Sequence, residues 1–543
     1  MIRSPIILSI QKVIKSKANF LQQLRQLDSV CEEIQLYYHE YDYAADKRGN
    51  GFRSIARIID IYLQKLYTDH ENGNLTLYPD LLQDYITLAD TLAVSLSYAQ
   101  LLRKKGVDFD PTVQSEIDQE FFSRIFNAPV ESTIPIAGSI GPFYYKGSPG
   151  PFFHWFFYFL HLWQLPPSQA FKMLCDSQYS AYKLAETAAK TPLSMGKAFI
   201  PGPILSKIVR PLVKLGCFLR SASLTEITIP QRTNHWTIRV QDWKEPAVIE
   251  KTAVRTGSCP SLLIKPFNCK NKCKSLILHT QGGAFITISP DAHAVQMAIL
   301  SHKIGIPIII PDYRKAPEHK FPAGLQDVLD LYLFLTSGDV EVERLIGFQP
   351  EHVYMSGDSA GGNLVTAATF ALNRIRKQGG KVRMPKALML QYPAVTPCFT
   401  AFPSLSFLLV DMVMARGPIC LGASLYADIE PKIVDESCWD QGFEEIAEMV
   451  KKFGYKLKEP LINLLAFTDW SDLKDIPLTI TAGEMDPSLD QTIMLAKAWK
   501  GDVDIEIAGG MPHGYTSFMP DPSIAPELDI YYRQIANAVG VTI

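Results

Sequence analysis

The chain has no long hydrophobic run. Its most apolar stretch, residues 152–163 (FFHWFFYFLHLW), is shorter than the roughly 20 residues that a membrane-spanning helix requires. The apolar run near the N-terminus, residues 5–10, is also too short for the hydrophobic part of a secretory signal, which takes roughly 7–15 residues. These two absences predict a cytoplasmic location.

Regular cysteine spacings and an excess of either charge are lacking as well. The nine cysteines form no CxxC motif, whereas disulfide frameworks and zinc clusters show close, regular spacings. We expect the nearest group, Cys259, Cys269 and Cys273, to be reduced thiols in a loop, as in a reducing compartment. The net charge of −3 provides no basic field, so nucleic acid is not an expected partner.

The length and composition are those of a globular protein with more than one domain. Of 543 residues, 47% are hydrophobic and 20% are charged, and a single packed core seldom grows so large. Apolar residues recur every three or four positions at residues 55–66, 81–102 and 181–189, which indicates helices buried on one face. We therefore predict a mostly helical N-terminal domain over residues 1–220 and a second domain over residues 221–543.

In the second domain, short apolar segments alternate with helical patterns. This alternation is typical of an α/β fold with a mainly parallel, doubly wound sheet, preceded here by a few antiparallel strands. The predicted strands lie at residues 227–229, 236–240, 261–264, 276–279, 306–311, 353–356, 387–391, 478–482 and 503–507. The predicted helices include residues 292–303, 325–335 and 363–376.

The sharpest motif is G-x-S-x-G at residues 357–361 (GDSAG). It stands between a predicted strand and a predicted helix, and in that context it builds a tight turn that exposes the serine as a nucleophile. Glycine two positions to either side avoids a collision of side chains with the neighbouring backbone. We therefore predict that Ser359 is a catalytic nucleophile.

A serine hydroxyl is a weak nucleophile and needs a general base. Where this turn occurs, the order along the chain is serine, then acid, then histidine. His513 is the only histidine that follows Ser359. It lies just beyond the predicted strand at residues 503–507, in a loop where functional side chains are common. We predict that His513 is the base.

The acid that orients the base must lie between the serine and the histidine. Asp486 directly follows the predicted strand at residues 478–482 and is the predicted acid, with Asp490 and Glu484 as alternatives. The aspartates between residues 411 and 475 precede that strand and are interpreted as loop or helix-surface charges.

Acyl transfer also needs hydrogen-bond donors for the oxyanion that forms on the substrate. One donor is expected from the backbone N–H of Ala360, directly after the nucleophile, and others from a glycine-rich loop after an earlier strand. That loop contains Gly282, Gly283 and Ala284. We predict that Gly283, Ala284 and Ala360 donate to the oxyanion, with Gly282 as a further candidate. Such a mechanism requires no metal and no organic cofactor.

Together these segments resemble the hormone-sensitive lipase family of α/β-hydrolases. The resemblance rests on residues 278–285, 312–318 (DYRKAPE), 357–363 (GDSAGGN), 486–487, 512–514, 49–54 (GNGFRS) and 97–102 (SYAQLL). It implies an α/β-hydrolase fold behind a helical N-terminal domain and serine-dependent hydrolysis of neutral lipid esters such as diacylglycerol, other acylglycerols, and cholesteryl or retinyl esters. It also implies a cytosolic enzyme that visits lipid droplets. A surface for dimerisation, hence a homo-oligomer, or for lipid docking would suit the N-terminal domain.

The sequence departs from the family pattern in two places. The oxyanion loop of the family usually reads His-Gly-Gly-Gly, whereas Gln281 and Ala284 stand at its first and last positions here. The mammalian lipase of this family carries a long phosphorylated segment between nucleophile and acid, but the corresponding residues 394–459 are not rich in serine. The first departure changes the oxyanion loop, in which Ala284 still supplies an N–H and Gln281 can form hydrogen bonds, and the second gives no indication of control by phosphorylation.

Two other functions are compatible with the same motifs. A carboxylesterase for small soluble esters would use an identical fold and site, and a receptor on this fold would bind its ligand without hydrolysis. The presence of His513 favours an enzyme, because a receptor does not need it. The apolar segment at residues 405–414 (LSFLLVDMVM) would line an acyl pocket if it lies beside the site.

Overall fold

The computed structural model describes residues 203–230, 235–253, 258–269, 274–397, 402–409, 454–518 and 527–543, together with residues 32, 34–36, 38–44, 49–57, 411, 414, 422–423 and 425–429. Of the predicted N-terminal helix at residues 55–66, only residues 55–57 are described, and they are helical. The helices predicted at residues 81–102 and 181–189, and the apolar run at residues 152–163, lie outside the described residues.

Ten strands form two sheets. They are β1 (Ala222–Ile229), β2 (His235–Arg239), β3 (Val248–Thr252), β4 (Cys259–Pro266), β5 (Ser275–Thr280), β6 (Ile308–Pro311), β7 (His352–Asp358), β8 (Leu388–Gln391), β9 (Leu478–Gly483) and β10 (Val503–Ala508). The main sheet has the order β1-β4-β6-β5-β7-β8-β9-β10, and β2 pairs with β3 separately. The pairs β1–β4 and β4–β6 are antiparallel, and every later pair in the main sheet is parallel.

Burial along the strands follows their position in the sheet. In the edge strand β1, buried and exposed side chains largely alternate. In contrast, every residue of β6, β8 and β9 is buried, as expected for parallel strands that are covered on both faces by helices. The continuous apolar runs in the sequence are therefore the central strands.

Eight helices accompany the strands in the described residues. They are α1 (Pro203–Leu219), α2 (Asp291–Ile304), α3 (Ala323–Leu335), α4 (Val340–Ile346), α5 (Ala360–Lys377), α6 (Leu489–Ala498), the single turn α7 (Tyr515–Phe518) and α8 (Glu527–Ala538). Short 3-10 turns occur at Tyr38–Tyr41, Pro403–Leu409, Gly454–Lys458, Leu464–Ala466 and Trp470–Leu473. Helix α3 packs against α5, and α2 packs against α1 and α8. None of the described helices is long and apolar enough to cross a bilayer.

The predicted fold class is confirmed: the second half of the chain is an α/β structure with a mainly parallel sheet. Helix α1 falls on the N-terminal side of the predicted domain boundary, yet it is attached to α2. Arg210 donates to Asp291 at 2.7 Å, and the Cys217 thiol faces the Ala294 carbonyl at 3.5 Å. The boundary at residue 220 itself stays a prediction.

One expectation about cysteine is wrong. Cys269 is disulfide-bonded, whereas its spacing from Cys259 and Cys273 was interpreted as that of reduced thiols in a loop. Cys259 is a free, buried thiol. Its pKa is raised above the ordinary value by burial, so this thiol is not a reactive thiolate.

Part of the N-terminal region docks on the α/β half of the chain. The N–H of Gly51 donates to Asp490 Oδ1 at 2.9 Å, and Arg57 forms an ion pair with Glu484. A Cβ atom at Gly51 would lie 2.1 Å from the backbone nitrogen of Ser404, so only glycine permits this close approach. The segment at residues 49–57 therefore packs against the loop that follows β9, the first turn of α6 and the 3-10 turn at Pro403–Leu409.

Candidate active site

The carboxyl ends of the parallel strands form one edge of the sheet, where ligands bind in open α/β folds. Each residue of the predicted site follows one of these strands. Ser359 follows β7, the oxyanion loop follows β5, Asp486 follows β9 and His513 follows β10. The topology alone therefore brings segments that are far apart in sequence to one place.

Ser359 sits on a sharp turn between β7 and α5. Its φ is +50° and its ψ is −121°, a conformation that residues other than glycine seldom adopt and that costs about 1–3 kcal/mol. Space around the turn is tight. A Cβ at Gly357 would lie 2.5 Å from the Gly361 carbonyl oxygen, and one at Gly361 would lie 1.9 Å from the Thr280 carbonyl oxygen. The two glycines thus let β7, β5 and α5 meet beneath the serine.

The structure brings Ser359, His513 and Asp486 into one hydrogen-bonded chain. His513 Nε2 lies 2.9 Å from Ser359 Oγ, and His513 Nδ1 lies 2.9 Å from Asp486 Oδ2. The second carboxylate oxygen of Asp486 accepts from the N–H of Ser488 at 2.7 Å and from its hydroxyl at 2.6 Å. Both His513 and Asp486 are buried. This geometry suits a serine hydroxyl that transfers its proton to an imidazole held in one orientation.

The two alternative acids serve other contacts. Asp490 accepts from the N–H groups of Gly51 and Ser404, at 2.9 and 2.8 Å. Glu484 pairs with Arg57 and accepts from the N–H of Gly510 at 2.7 Å. Neither of their carboxylates has a hydrogen bond to His513 among those described, so the geometry favours Asp486 as the acid.

Asp411 is a site residue that the sequence interpretation missed, since it was grouped with surface charges. Its carboxylate is buried and accepts from the backbone N–H of His513 at 3.0 Å and of Met414 at 2.6 Å. Burial, with the Asp486 charge acting in the same direction and His513 opposing, raises the pKa of Asp411 to about 6. Asp411 thus fixes the backbone of the histidine loop.

The carboxylates around His513 also change its basicity. Burial lowers the pKa of the imidazole, but the adjacent Asp486 charge and the nearby Asp411 and Asp358 charges outweigh it, so the net pKa of His513 is raised above its ordinary value. A more basic imidazole accepts the serine proton more readily.

The glycine-rich loop after β5 lies directly against the nucleophile turn. A Cβ at Gly282 would be 3.0 Å from Ser359 Cβ. The loop turns sharply, because Gly283 and Ala284 have φ values of +107° and +53°, and the N–H groups of Ile286 and Thr287 both donate to the Gly283 carbonyl at 3.0 and 2.9 Å.

One predicted oxyanion donor needs correction. The N–H of Gly282 donates to Asp358 Oδ1 at 2.9 Å, so this amide is already occupied by a carboxylate and cannot also serve a substrate. Gly283 and Ala284 remain as candidate donors from this loop, together with Ala360 at the first position of α5. Ala284 does adopt the left-handed backbone conformation at this family glycine position, with the strain expected of a residue with a β-carbon.

Gln281, which replaces the family histidine, is fully buried. Neither its side-chain oxygen nor its side-chain nitrogen has a hydrogen-bond partner among the described residues. Its backbone carbonyl accepts from the Tyr313 hydroxyl at 3.2 Å. Gln281 thus contributes to the loop through its backbone.

A second group of polar side chains lies behind the nucleophile turn. His279, His293 and Asp358 are buried, and their ligand-type atoms lie close enough together to hold a metal ion. However, His279 Nε2 lies 3.2 Å from His293 Nδ1, and the centroids of the two rings are 5.5 Å apart. At this distance between the nitrogens, the rings can be so far apart only if both nitrogens lie close to the line that joins the two centroids. The two nitrogens therefore point at each other, as in a hydrogen bond, and not toward a common ion.

The apolar segment at residues 405–414 does reach the site. Leu405, Phe407 and Leu408 are buried, and Asp411 in the same segment holds the His513 loop. The described apolar side chains of this segment therefore contact protein and not solvent or lipid.

Comparisons with known proteins agree with this architecture. Residues 277–517 match the α/β hydrolase fold family, and residues 7–73 match the family described as the N-terminus of hormone-sensitive lipase. Hormone-sensitive lipase of Bos taurus is 30% identical over 159 residues, 29% of this chain and 20% of that protein. Esterase LipU of Mycobacterium tuberculosis is 33% identical over 102 residues, 19% of this chain and 32% of that protein.

A solved esterase from Pyrobaculum calidifontis is 21% identical, with a TM-score of 0.42, and the match covers 62% of this chain and 97% of that one. The matched segment spans only a fifth of the bovine lipase and a third of the mycobacterial esterase. The second half of this chain therefore has the α/β hydrolase fold, and its N-terminal segment and catalytic half are similar to those of hormone-sensitive lipase.

Proposed function

We propose that the protein hydrolyses carboxylic esters through an acyl-enzyme formed on Ser359. The observation that carries the proposal is the unbroken chain of contacts from Ser359 Oγ to His513 and on to Asp486, each 2.9 Å long. His513 takes the serine proton as Oγ attacks the ester carbonyl and gives it to the leaving alcohol. Water then repeats the sequence and releases the acid.

Asp486 keeps the imidazole in the required tautomer and stabilises its charged form. The N–H groups of Gly283, Ala284 and Ala360 bind the oxyanion of the tetrahedral intermediate. These donors are fixed by the loop after β5 and by the start of α5, so little reorganisation is required when charge develops.

The first test compares hydrolysis of a short-chain p-nitrophenyl ester by the wild type, Ser359→Ala and a control, Ser223→Ala, which changes an exposed serine of β1. We expect Ser359→Ala to lose roughly four to six orders of magnitude in kcat, with no change in the control. Equal turnover in Ser359→Ala would place the nucleophile elsewhere. A wild type that binds ester and returns it intact would favour the receptor function.

For the substrate class, we propose neutral lipid esters, with diacylglycerol and other acylglycerols ahead of cholesteryl and retinyl esters. Support comes from the match to the N-terminus of hormone-sensitive lipase. The second candidate, a carboxylesterase for small esters, is favoured by the similarity to esterase LipU. Relative rates on emulsified diacylglycerol and on soluble butyrate esters discriminate between them. A hydrolysis rate that falls sharply when the acyl chain is long enough to make the ester insoluble would exclude the lipase function.

We also propose a cytoplasmic enzyme that binds lipid-droplet surfaces and acts without metal or organic cofactor. Flotation of the full chain with artificial lipid droplets tests the surface binding, and sedimentation tests the proposed homo-oligomer. Unchanged turnover after dialysis against a chelator is expected for the metal-free mechanism.

A further inference from the structure

Residues 391–394, at the end of β8, hold the backbone of the nucleophile from both sides. The N–H of Ser359 donates to the Gln391 carbonyl at 3.0 Å, and the Ser359 carbonyl accepts from the N–H of Ala394 at 2.9 Å. This segment therefore fixes the strained backbone of Ser359, and Tyr392 belongs to it.

Tyr392 has a backbone conformation that is unusual for a tyrosine. Its φ is +33°, in the left-handed region, which costs a residue with a β-carbon about 1–2 kcal/mol. Its N–H donates to the Thr481 carbonyl at 2.7 Å, and its side chain is fully buried. Glycine would adopt this conformation without strain, so a tyrosine at this position indicates that its side chain has a role.

The Tyr392 side chain contacts the histidine loop at both its ring and its hydroxyl. The ring centroid lies 4.7 Å from that of the His513 imidazole, with the two planes tilted by 58°, a separation at which ring pairs attract each other. The hydroxyl lies 2.5 Å from Thr516 Oγ1 and 3.1 Å from Ser517 Oγ, both in helix α7, which follows the histidine. Burial raises the pKa of Tyr392 well above its ordinary value, so this hydroxyl stays neutral. Tyr392 therefore joins the end of β8 to the imidazole and to α7.

The other contacts of His513 leave the tilt of its ring incompletely fixed. Asp486 holds Nδ1, and Asp411 holds the backbone N–H. A hydrogen bond to one edge of a ring tolerates a range of angles, and a tilt of the imidazole would move Nε2 away from Ser359 Oγ. The Tyr392 ring restricts this tilt, because it packs against the imidazole in a buried site where side chains have little free space.

We propose that Tyr392 is a positioning residue for ester hydrolysis: its ring packs against the imidazole, its hydroxyl anchors α7, and together they keep His513 Nε2 aligned with Ser359 Oγ. The proposal rests on the proposed ester hydrolase function. The base takes its proton only as Oγ attacks the ester, so a misaligned base raises the barrier and leaves ground-state binding of the ester unchanged. Substitutions of Tyr392 should therefore lower kcat with little effect on KM.

The test uses the full chain and separates the contacts of the ring from those of the hydroxyl. Tyr392→Phe removes the hydroxyl and keeps the ring, Tyr392→Leu removes both, and Thr516→Val removes a partner of the hydroxyl on α7. The matched control is Tyr332→Phe, which removes the buried hydroxyl that donates to the Arg383 carbonyl at 3.1 Å, in helix α3, which carries no residue of the site. For each variant we would measure Tm, kcat and KM on a soluble ester, and the rate constant of inactivation by diethyl p-nitrophenyl phosphate, which phosphorylates the serine with the help of the same base.

For Tyr392→Leu we expect kcat and the inactivation rate constant to fall about 100-fold, the loss that a misplacement of about 1 Å can cause, while KM changes less than about threefold. For Tyr392→Phe and Thr516→Val we expect smaller losses of about tenfold. The double variant should lose no more than Tyr392→Phe alone, because both substitutions break the same contact. Tyr332→Phe should lower Tm about as much as Tyr392→Phe does and keep wild-type kinetics.

Wild-type kinetics in both Tyr392 variants would overturn the positioning role. A loss of kcat in Tyr332→Phe equal to that in Tyr392→Phe, or a loss of kcat/KM that arises from KM alone, would overturn it as well. Tyr392→Phe and Thr516→Val nearly preserve the shapes of the side chains, so they decide the question even where Tyr392→Leu does not fold. A wild type that neither hydrolyses the ester nor reacts with the phosphate would overturn the proposed function, and the positioning role with it.

Discussion

The substitution Gln281→Met should stabilise the protein, although it changes a residue next to the catalytic machinery. Gln281 is fully buried, and both polar atoms of its side chain are without partners in the described structure. A buried amide without hydrogen bonds costs about 1–3 kcal/mol by the measure of protein mutants. Methionine has a similar shape and needs no partner, so we expect the free energy of unfolding to rise by about 1–2 kcal/mol.

The same substitution at Gln326 is the matched control. Gln326 Oε1 accepts from the N–H of Ile238 at 2.8 Å, and Nε2 donates to the Trp236 carbonyl at 2.8 Å and to Asp330 at 2.9 Å. Gln326→Met leaves the backbone groups of β2 unpaired, at about 1–3 kcal/mol each. The two variants should therefore shift stability in opposite directions.

Thermal and urea unfolding of the wild type and both variants measure the effect. A change of 1 kcal/mol corresponds to roughly 2 °C in Tm for a domain of this size, so the variants should differ by roughly 6 °C or more. Because the oxyanion donors are backbone groups, kcat of Gln281→Met should stay within a few-fold of the wild type. Loss of stability in Gln281→Met comparable to that in Gln326→Met would refute the reasoning and show that the Gln281 amide has a partner.

Three further outcomes are expected. Asp486→Asn should lower kcat about 10⁴-fold with KM little changed, because an amide supports the wrong tautomer of His513; a loss below tenfold would assign the acid elsewhere. Asp411→Asn should move the acidic limb of the pH profile of kcat/KM to lower pH, since the raised pKa of His513 loses one of its supporting charges and the neutral base then persists at lower pH; an unmoved limb would contradict this coupling. Gly361→Ala should abolish activity and lower Tm by several degrees, because its Cβ would overlap the Thr280 carbonyl; a wild-type Tm would show that β5 can move away.

The features that we predicted from the sequence are those that depend on the local pattern of apolar residues and glycines. The strands and the turn at Ser359 follow from short apolar runs and from glycine spacing, and the order of the motifs led to His513. In contrast, Asp411 and His513 are 102 residues apart, and Gly51 and Asp490 are 439 residues apart. Such pairs depend on how the strands assemble. The sequence of an apolar segment does not show whether its aspartate faces solvent or a buried amide.

The occupied Gly282 amide shows a similar limit. The sequence indicates that the loop after β5 is rich in glycine, and therefore that its backbone can approach a substrate closely. Whether a particular N–H points outward or toward a neighbouring carboxylate is decided by Asp358, which belongs to a different strand. The motif alone therefore does not show which backbone amides of the loop can donate to the oxyanion.

The docking of residues 49–57 makes the two halves of the chain thermodynamically linked. Asp490 depends on the Gly51 amide for one of its donors, and it lies in the first turn of the helix that follows Asp486. If the N-terminal segment detaches, the buried carboxylate loses a donor and the loop of Asp486 loosens. By reciprocity, a molecule that binds the N-terminal segment more tightly in one of the two states would change the affinity for the ester, and ester binding would change the affinity for that molecule by the same factor.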